Sequence, residues 1–185
     1  MINFETERLE VRKFRCSDAA ALLDYLHHPS ARCFLSLALS DLDAAKAEAR
    51  KRGDYDGYLA VCLKSSGQLI GDVFGIAEGA EYVDQTDTFA VGWNINPRFG
   101  NTGYGGEAAR GLFANLFEMR NARRLYAYVD EGNVASERLC ESLGMRPEGL
   151  FKEYISFVDD ERGQPVFENT KQYALLRDEW TAVRS

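Results

Sequence analysis

A glycine-rich segment between a predicted strand and a predicted helix most constrains how this chain folds. Residues 96–108 read NPRFGNTGYGGEA and include four glycines. Phe89–Ile95 before them is typical of a strand, and apolar residues follow at helical spacing, namely Ala109, Leu112, Phe113, Leu116 and Phe117. Glycine permits a tight turn and close approach of a ligand, and unpaired N–H groups at a helix N-terminus attract anions. The segment therefore predicts a phosphate or pyrophosphate site.

Two common nucleotide-binding motifs fail at this segment. A P-loop has the pattern GxxxxGK[ST]; Gly100 and Gly105 have that spacing, but Gly106 and Glu107 stand where Lys and Ser or Thr are required. The GxGxxG fingerprint fails in the order of its glycines, and several predicted strands precede it. The remaining alternative to a ligand site is a plain turn with helix-capping glycines.

The other predicted elements surround this segment in a mixed order. Strands are expected at 8–14, 58–64, 68–76, 89–95, 123–129, 149–158 and 166–176, and helices at 17–28, 40–52, 104–119 and 133–143. Ser40 is expected to cap the second helix, and Gly53 to end it. The acidic, turn-rich segment 77–87 is predicted to be a loop. Consecutive strands with helices inserted early and late predict one α+β or mixed α/β domain over residues 1–185.

The charge balance argues against a nucleic-acid partner. The chain has 22 Lys and Arg residues against 29 Asp and Glu residues, a formal net charge of −7, and it has no run of five like charges. A nucleic-acid-binding protein is expected to show a basic face. An acidic balance instead suits a cationic acceptor such as an amine.

Metal, disulfide and membrane sites are not predicted. The four cysteines form no CxxC pair, and the only histidines, His27 and His28, have no partner at ligand spacing. The N-terminus has acidic residues where a signal peptide would be basic, and no stretch approaches 18 apolar residues. A cytoplasmic protein with free thiols is expected.

Several segments together resemble the GNAT superfamily of acetyltransferases, and more narrowly the RimJ/RimL-like branch of ribosomal-protein N-terminal acetyltransferases. Residues 98–108, RFGNTGYGGEA, resemble the family pattern [QR]xxGx[GA] followed by GYATEA. Residues 129–136, VDEGNVAS, and 141–145, ESLGM, resemble VDxxNxxSxxxxExLGF. The opening TERL at 6–9 and the closing YALL at 173–176 also match. The resemblance thus covers nearly the whole chain and implies a GNAT fold with about seven strands and four helices.

The resemblance implies a site for acetyl-CoA without a metal. Backbone groups of the strand end and the glycine turn are expected to bind it, and these residues are Trp93, Asn94, Ile95, Arg98, Phe99, Gly100, Asn101, Thr102, Gly103, Tyr104 and Gly105. Asn133 is expected to orient the cofactor, and the alternative is that it only caps the helix it begins. Ser136 is expected to lie near the cofactor sulfur and hydrogen-bond the leaving thiolate. Asn101 stands where the family has its first glycine, and Asn tolerates left-handed backbone angles better than most residues.

The general base is the least defined part of the predicted site. Relatives often carry Glu in the strand before the glycine turn, but Ala90 stands at that place here. The alternatives are solvent or one of five carboxylates, namely Asp72, Glu81, Asp84, Asp87 and Glu153, of which Glu153 and Asp72 are the leading candidates. Three tyrosines are candidates for the acceptor pocket, namely Tyr82, Tyr104 and Tyr154.

The predicted activity is transfer of an acetyl group from acetyl-CoA to a primary amine, by direct attack in a ternary complex. The acceptor is either a protein N-terminus or a small-molecule amine, and a homodimer is possible. Two other functions stay open at this stage. One is a non-catalytic acyl-CoA sensor on the same fold, suggested by Ala90, and the other is a nucleotide- or phosphate-binding regulatory module that uses the glycine turn.

Overall fold

The computed structural model describes residues 3–29, 31–79 and 86–184. The strands are β1 (Phe4–Glu5), β2 (Leu9–Arg12), β3 (Tyr58–Leu63), β4 (Leu69–Ala77), β5 (Thr88–Ile95), β6 (Arg124–Asp130), β7 (Arg146–Asp159) and β8 (Pro165–Leu176). The α-helices are α1 (Ala19–Leu26), α2 (Leu42–Asp54), α3 (Tyr104–Ala114), α4 (Val134–Ser142) and α5 (Arg177–Arg184). The mixed α/β prediction is confirmed; β1 and α5 were not predicted.

All eight strands form one sheet in the order β1-β2-β3-β4-β5-β6-β8-β7. Neighbouring strands are antiparallel except β5 and β6, which are parallel. Parallel neighbours need a crossover connection, and here the glycine turn and α3 provide it. The predicted phosphate site therefore lies inside the crossover that joins the two parallel strands.

Helices cover the two faces of the sheet unequally. On one face, α3, α4 and α5 pack on alternate residues of the central strands, with Leu112 and Phe113 fully buried. On the other face, α1 and α2 cover β3 and the start of β4 through a smaller apolar cluster that includes Leu22 and Leu26. The second face is therefore covered by helices over only part of the sheet.

Helix ends follow capping chemistry, with one correction. Asp41, rather than Ser40, caps α2, because its Oδ1 accepts hydrogen bonds from the N–H groups of Asp43 (3.0 Å) and Ala44 (2.9 Å). The helix also continues through Gly53 to Asp54. After α3, the predicted single helix changes to one π-helical turn over Asn115–Met119.

The end of α4 matches its prediction. Gly144 has φ of 83°, in the left-handed region that favours glycine, and the N–H of Met145 returns to the carbonyl of Cys140 at 3.0 Å. Met145 is buried. This closure fixes α4 against the sheet, next to the end of β6.

Candidate active site

An opening in the sheet lies between β5 and β6. The two strands pair only over Thr88–Ala90 and Arg124–Tyr126. Beyond that point, β5 stays paired with β4 as far as Ile95, and β6 stays paired with β8 as far as Asp130. In the described chain no ladder joins β5 to β6 past Ala90 and Tyr126. The facing backbone groups of both strand ends are thus available to a ligand.

The glycine turn closes the far end of this opening. Asn101 has φ of 57° and Gly103, the N-cap of α3, has φ of 83°. The left-handed geometry at Asn101 agrees with the tolerance expected of this side chain. Thr102 Oγ1 donates to the Phe99 carbonyl at 2.6 Å, and the first N–H bond within α3 runs from Glu107 to Gly103 at 3.0 Å. The N–H groups before Glu107 are the unpaired donors of the helix start.

The glycines of α3 suit a bulky anionic ligand. A Cβ added at Gly105 would lie 3.5 Å from Ile95, and one at Gly106 would lie 3.5 Å from Leu139; both are ordinary van der Waals contacts. The fold itself therefore does not require glycine at these two positions, although glycine within a helix costs about 1 kcal/mol relative to alanine. Bare backbone at a helix N-terminus is what a pyrophosphate group can approach closely. The residues present fit the phosphate portion of CoA.

A side-chain network holds this helix start against the N-terminal strands. The Glu107 carboxylate accepts from the backbone N–H of Arg8 at 2.8 Å, from Arg8 Nε at 2.6 Å and from Thr6 Oγ1. The Arg8 guanidinium also donates to the Thr102 carbonyl at 3.1 Å and lies over the ring of Tyr104, 4.5 Å from its centroid. These contacts lower the pKa of Glu107 against the opposing effect of its burial. Sequence reasoning assigned no role to Arg8 or Glu107, because their pairing spans 99 residues.

A groove of about 710 Å³ begins beside the turn. It runs between the N-terminal strands, α3 and α4, and its lining includes Gly103, Gly106, Arg8, Arg110 and Ser142. The lining carries two arginines, Arg8 and Arg110, and two glutamates, Glu7 and Glu107, and Arg8 is paired with Glu107, so Arg110 is the cation that this pairing leaves for an anionic ligand. That charge and the adjacent helix N-terminus suit the same anionic ligand.

The Arg98 side chain is exposed and pairs with α1. Its guanidinium lies 3.2 Å from Asp24, and the same Asp24 carboxylate accepts from the buried Asn96 side chain at 2.8 Å. Asn96 Oδ1 in turn accepts from the Arg98 N–H at 3.0 Å. Arg98 therefore links the turn to α1, and its contact with phosphate stays a prediction.

Asn133 and Ser136 lie at the start of α4. Asn133 is its N-cap, and its Oδ1 accepts from the Ser136 N–H at 3.2 Å, the capping role that was the simple alternative to cofactor contact. The Ser136 side chain is half-buried, and its hydroxyl makes no hydrogen bond within the described residues. Since α4 follows β6 directly, both residues lie past the end of the strand that borders the opening.

Asp72 of β4 forms a buried ion pair with Arg52 of α2. It is 2% exposed, its Oδ1 lies 3.2 Å from Arg52 Nη1, and its Oδ2 accepts from the Tyr25 hydroxyl at 2.7 Å. Burial raises the pKa of Asp72, while the Arg52 charge opposes that rise. Both carboxylate oxygens are thus engaged, and this geometry favours a structural role over that of a proton acceptor for substrate.

The remaining base candidates differ in their surroundings. Asp87 pairs with Arg123 at 3.0 Å, and this hydrogen bond holds the pKa of Asp87 below its usual value, which weakens it as a base. Glu153 is exposed, has φ of 48°, and lies in a bulge of β7 where its N–H donates to Asn169 Oδ1 at 2.9 Å. Glu81, Asp84 and Tyr82 lie outside the described residues.

Of the tyrosines predicted to line the acceptor pocket, the two that the structure describes lie in different places. Tyr104 is the first residue of α3, and the Arg8 guanidinium lies over its ring. Tyr154 lies on the sheet face across from α3, with its ring 5.6 Å from that of Tyr128 and 5.0 Å from that of Phe151. Ala90 and Tyr126 form the last pair before β5 and β6 separate. The aromatic residues of β6 therefore begin opposite the position where relatives often carry Glu.

Neither a metal cluster nor a membrane helix is seen where the chain is described. No group of three His, Cys, Asp or Glu side chains there could hold a metal ion. None of the described helices is long and apolar enough to cross a membrane. All four cysteines are free; Cys62 and Cys140 are buried as expected, whereas Cys16 is exposed.

Known proteins share this sequence and architecture. The family described as an acetyltransferase (GNAT) domain matches residues 8–146. The uncharacterized N-acetyltransferase YnaD of Bacillus subtilis is 29% identical over 180 residues, covering 97% of this chain and 99% of the relative. The crystal structure of a GNAT-family acetyltransferase from Bacillus anthracis superposes with a TM-score of 0.81 at 25% identity, covering 96% of this chain and 99% of that one.

A more distant structure shows the fold alone. The ribosomal-protein-S5-alanine acetyltransferase of Vibrio fischeri is 18% identical, with a TM-score of 0.71, and the match covers 97% of this chain and 99% of that one. The parallel strands that separate, the glycine turn between them and the match over most of the sequence agree with one another. The chain belongs to the GNAT family of acetyltransferases, and it is an acetyl-CoA-dependent N-acetyltransferase.

Proposed function

We propose that this enzyme acetylates a primary amine by direct attack in a ternary complex, in the β5–β6 opening. One observation carries the proposal: the unpaired strand ends and the bare helix start of α3 lie in one continuous crossover. The helix start suits the CoA pyrophosphate, and the strand ends offer backbone groups to its pantetheine amides. Because the Vibrio fischeri enzyme is only 18% identical to this chain, its name does not decide whether the acceptor here is a protein N-terminus or a small molecule.

The reaction needs orientation and one proton transfer. The neutral amine nitrogen attacks the thioester carbonyl carbon, a C–N bond forms, the C–S bond breaks, and the nitrogen loses a proton. Backbone N–H groups of Trp93–Ile95 that face the opening are proposed to polarise the carbonyl. The free hydroxyl of Ser136 is proposed to donate a hydrogen bond to the departing thiolate, which suits a group too weakly acidic to protonate it fully.

Proton removal is assigned to Glu153 or to water. Glu153 is the exposed candidate on the open face, whereas Asp72 is engaged by Arg52 and Tyr25, and Asp87 by Arg123. Ala90 leaves no carboxylate where β5 and β6 separate, which is the reason that the sequence alone left a non-catalytic acyl-CoA sensor open. A sensor would bind acetyl-CoA and release no thiol with any amine.

A binding and turnover experiment separates these functions. Thermal unfolding is measured with acetyl-CoA, CoA, ATP and NAD; a ligand at a hundred times its Kd adds about 2.7 kcal/mol to stability. Stabilisation by the two CoA compounds alone supports the site, and thiol release with an amine panel supports transfer. Ser136→Ala is expected to lower kcat while acetyl-CoA still binds, and Ser66→Ala, in an exposed turn, serves as the control. Stabilisation by ATP or NAD without CoA would overturn the proposal.

A further inference from the structure

An exposed group of aromatic rings lies on the sheet face that α1 and α2 cover only in part; β7 also contacts a short 3-10 helix over Arg32–Leu37. We define the aromatic wall as Tyr126, Tyr128, Phe151 and Tyr154. Ring centroids are 5.5 Å apart for Tyr126 and Tyr128, 6.1 Å for Tyr128 and Phe151, and 5.6 Å for Tyr128 and Tyr154. Tyr128 and Tyr154 are each 46% exposed and Phe151 is 38% exposed. Large aromatic groups left this open to solvent commonly mark a binding surface.

The sheet register places the wall at the acetyl-transfer site. Tyr126 and Tyr128 are alternate residues of β6, so both point to the same face, and Tyr126 pairs with Ala90 at the apex of the opening. The β7 residue Phe151 pairs with Thr170 of β8, which pairs with Asp130 of β6. The wall therefore extends sideways from the point where β5 and β6 separate.

A strained bulge in β7 completes the wall. Phe151 pairs with Thr170 and Ile155 with Glu168, so three residues of β7 oppose one residue of β8. Glu153 within this bulge has φ of 48°, which is costly for a residue other than glycine. The bulge brings Tyr154 back against Tyr128 and Phe151, where a regular strand would not place it.

The charges around the wall are acidic and in part unpaired. Glu78 and Glu153 make no ion pair within the parts of the chain that are described, whereas the Asp130 carboxylate interacts with the Cys33 thiol. The nearby cations are engaged, since Arg124 pairs with Glu148 and Lys152 with Glu131. No protein cation of the described chain lies over a ring of the wall.

The tyrosine rings of the wall are uncharged. Tyrosine is already neutral at physiological pH at its ordinary pKa of about 10, and burial and the hydrogen bond to Tyr154 raise the pKa of Tyr128 further, to about 12. Neutral phenol rings attract cations through their faces. An aromatic surface with unpaired carboxylates complements an ammonium group.

From this arrangement we propose that the acceptor is an alkyl diamine, whose second, non-reacting ammonium binds on the aromatic wall. The inference rests on the proposed function, because it requires the first amine to react in the β5–β6 opening. A flexible chain of methylene groups must join the reacting nitrogen in the opening to the ammonium on the wall. The chain length of the acceptor is therefore expected to matter.

Matched acceptors test the second charge directly. Acetyl transfer is measured with 1,5-diaminopentane, n-pentylamine, 5-aminopentanoic acid, phenethylamine and a short peptide with a free N-terminus. The diamine is expected to have a kcat/KM about ten-fold above that of n-pentylamine, which differs only in the second nitrogen. Equal rates for these two amines, or higher rates for phenethylamine or the peptide, would overturn the inference.

Three variants separate cation binding from general packing. Tyr128→Phe keeps the ring and is expected to keep most of the diamine preference, whereas Tyr128→Leu keeps only apolar volume and is expected to remove it. Tyr55→Leu is the control, because Tyr55 is also 46% exposed and lies before β3, away from the wall. An equal loss for diamine and n-pentylamine in Tyr128→Leu would assign the residue to packing and contradict the inference.

Direct binding keeps the inference distinct from the proposed function. Calorimetric titration with 1,5-diaminopentane alone is repeated on the wild-type, Tyr128→Phe and Tyr128→Leu proteins. If the wild-type protein binds the diamine, Tyr128→Leu abolishes that binding, and no amine is acetylated, the proposed function is wrong and the cation site is supported. Acetyl transfer to other amines without diamine binding would sink the cation site and retain the proposed function.

Discussion

The proposed cofactor side, at the glycine turn and the start of α3, and the proposed acceptor side, at the aromatic wall, are built in opposite ways. On the cofactor side, a backbone turn carries the chemistry, and side chains brace it from several directions, as Arg8 and Glu107 do from the N-terminal strands. On the acceptor side, the side chains carry the chemistry. The aromatic rings of β6 and β7 stand exposed, and the bulge that supports Tyr154 contains a left-handed Glu153.

We relate this difference to the two ligands: acetyl-CoA is the same in every reaction of this kind, whereas the acceptor amine differs. A helix N-terminus binds phosphate whatever acyl acceptor is used, so a braced backbone site serves every acceptor. Acceptor choice depends instead on exposed side chains, and Tyr128 or Tyr154 can change without unfolding a core. The following substitutions test this division between the two sides and the core beneath them.

The largest effect is expected from Asp72→Ala. The change leaves the buried Arg52 guanidinium with Glu48 as its remaining carboxylate partner and the Tyr25 hydroxyl without its acceptor, and removing one partner of a buried pair costs up to about 3–5 kcal/mol of unfolding free energy. Urea unfolding measures this loss, with Asp43→Ala on the exposed side of α2 as the control. A fully stable protein that no longer transfers acetyl groups would instead place Asp72 on the acceptor side, as the general base.

Gly71→Ala is expected to displace the end of β5, which borders the proposed cofactor site. An added Cβ would lie 2.3 Å from the Asn94 carbonyl oxygen and 2.9 Å from Ile95 Cα, both backbone atoms of β5. Such overpacking costs about 1–3 kcal/mol, and it displaces the strand end that borders the opening. Denaturant unfolding and acetyl-CoA titration are measured together, with Gly79→Ala as control because open space surrounds that Cβ. Unchanged acetyl-CoA affinity would show that the strand end takes no part in binding.

The backbone geometry of the glycine turn could be predicted from the sequence because it is local. Asn101, Gly103 and the start of α3 are consecutive, and their backbone chemistry is visible in residue type alone. The cap of α4 by Asn133 was predicted for the same reason. Contacts across 99 residues, such as Arg8 with Glu107, leave no comparable local pattern.

The acceptor side could not be predicted in the same way. Tyr126 and Tyr128 alternate along β6 in a pattern that fits a buried face as well as an exposed one. Their exposure depends on helices α1 and α2 stopping short of this part of the sheet, and their contact with Tyr154 depends on a bulge. The position of Asp72 next to Arg52 likewise depends on how α2 packs on β4.

A smaller effect is expected from Glu107→Gln, which tests whether the hydrogen bonds from Thr6 and Arg8 to Glu107 matter for cofactor binding. Glutamine keeps the shape and loses the charge-assisted bond to Arg8 Nε, and charge-assisted bonds are about twice as strong as neutral ones. The Kd for acetyl-CoA is expected to rise roughly three- to ten-fold, with Glu141→Gln on α4 as the control. Removing a negative charge near a phosphate site would by itself tighten binding. A lower Kd would thus mean that Glu107 repels the cofactor and does not position its site.

The smallest effect is expected at Asn101, where the chain differs from the family pattern. Its φ of 57° is accessible to asparagine, so Asn101→Gly removes little strain and gives the unfolded chain more freedom. We expect Asn101→Gly to change the unfolding free energy by less than about 0.5 kcal/mol, and Asn101→Ala to lower it by about 1 kcal/mol. Acetyl-CoA affinity should follow the same order, because both changes act through the turn's backbone. If Asn101→Ala instead weakens acetyl-CoA binding at unchanged stability, the asparagine side chain itself contacts the ligand, and the cofactor side would then depend on side chains just as the acceptor side does.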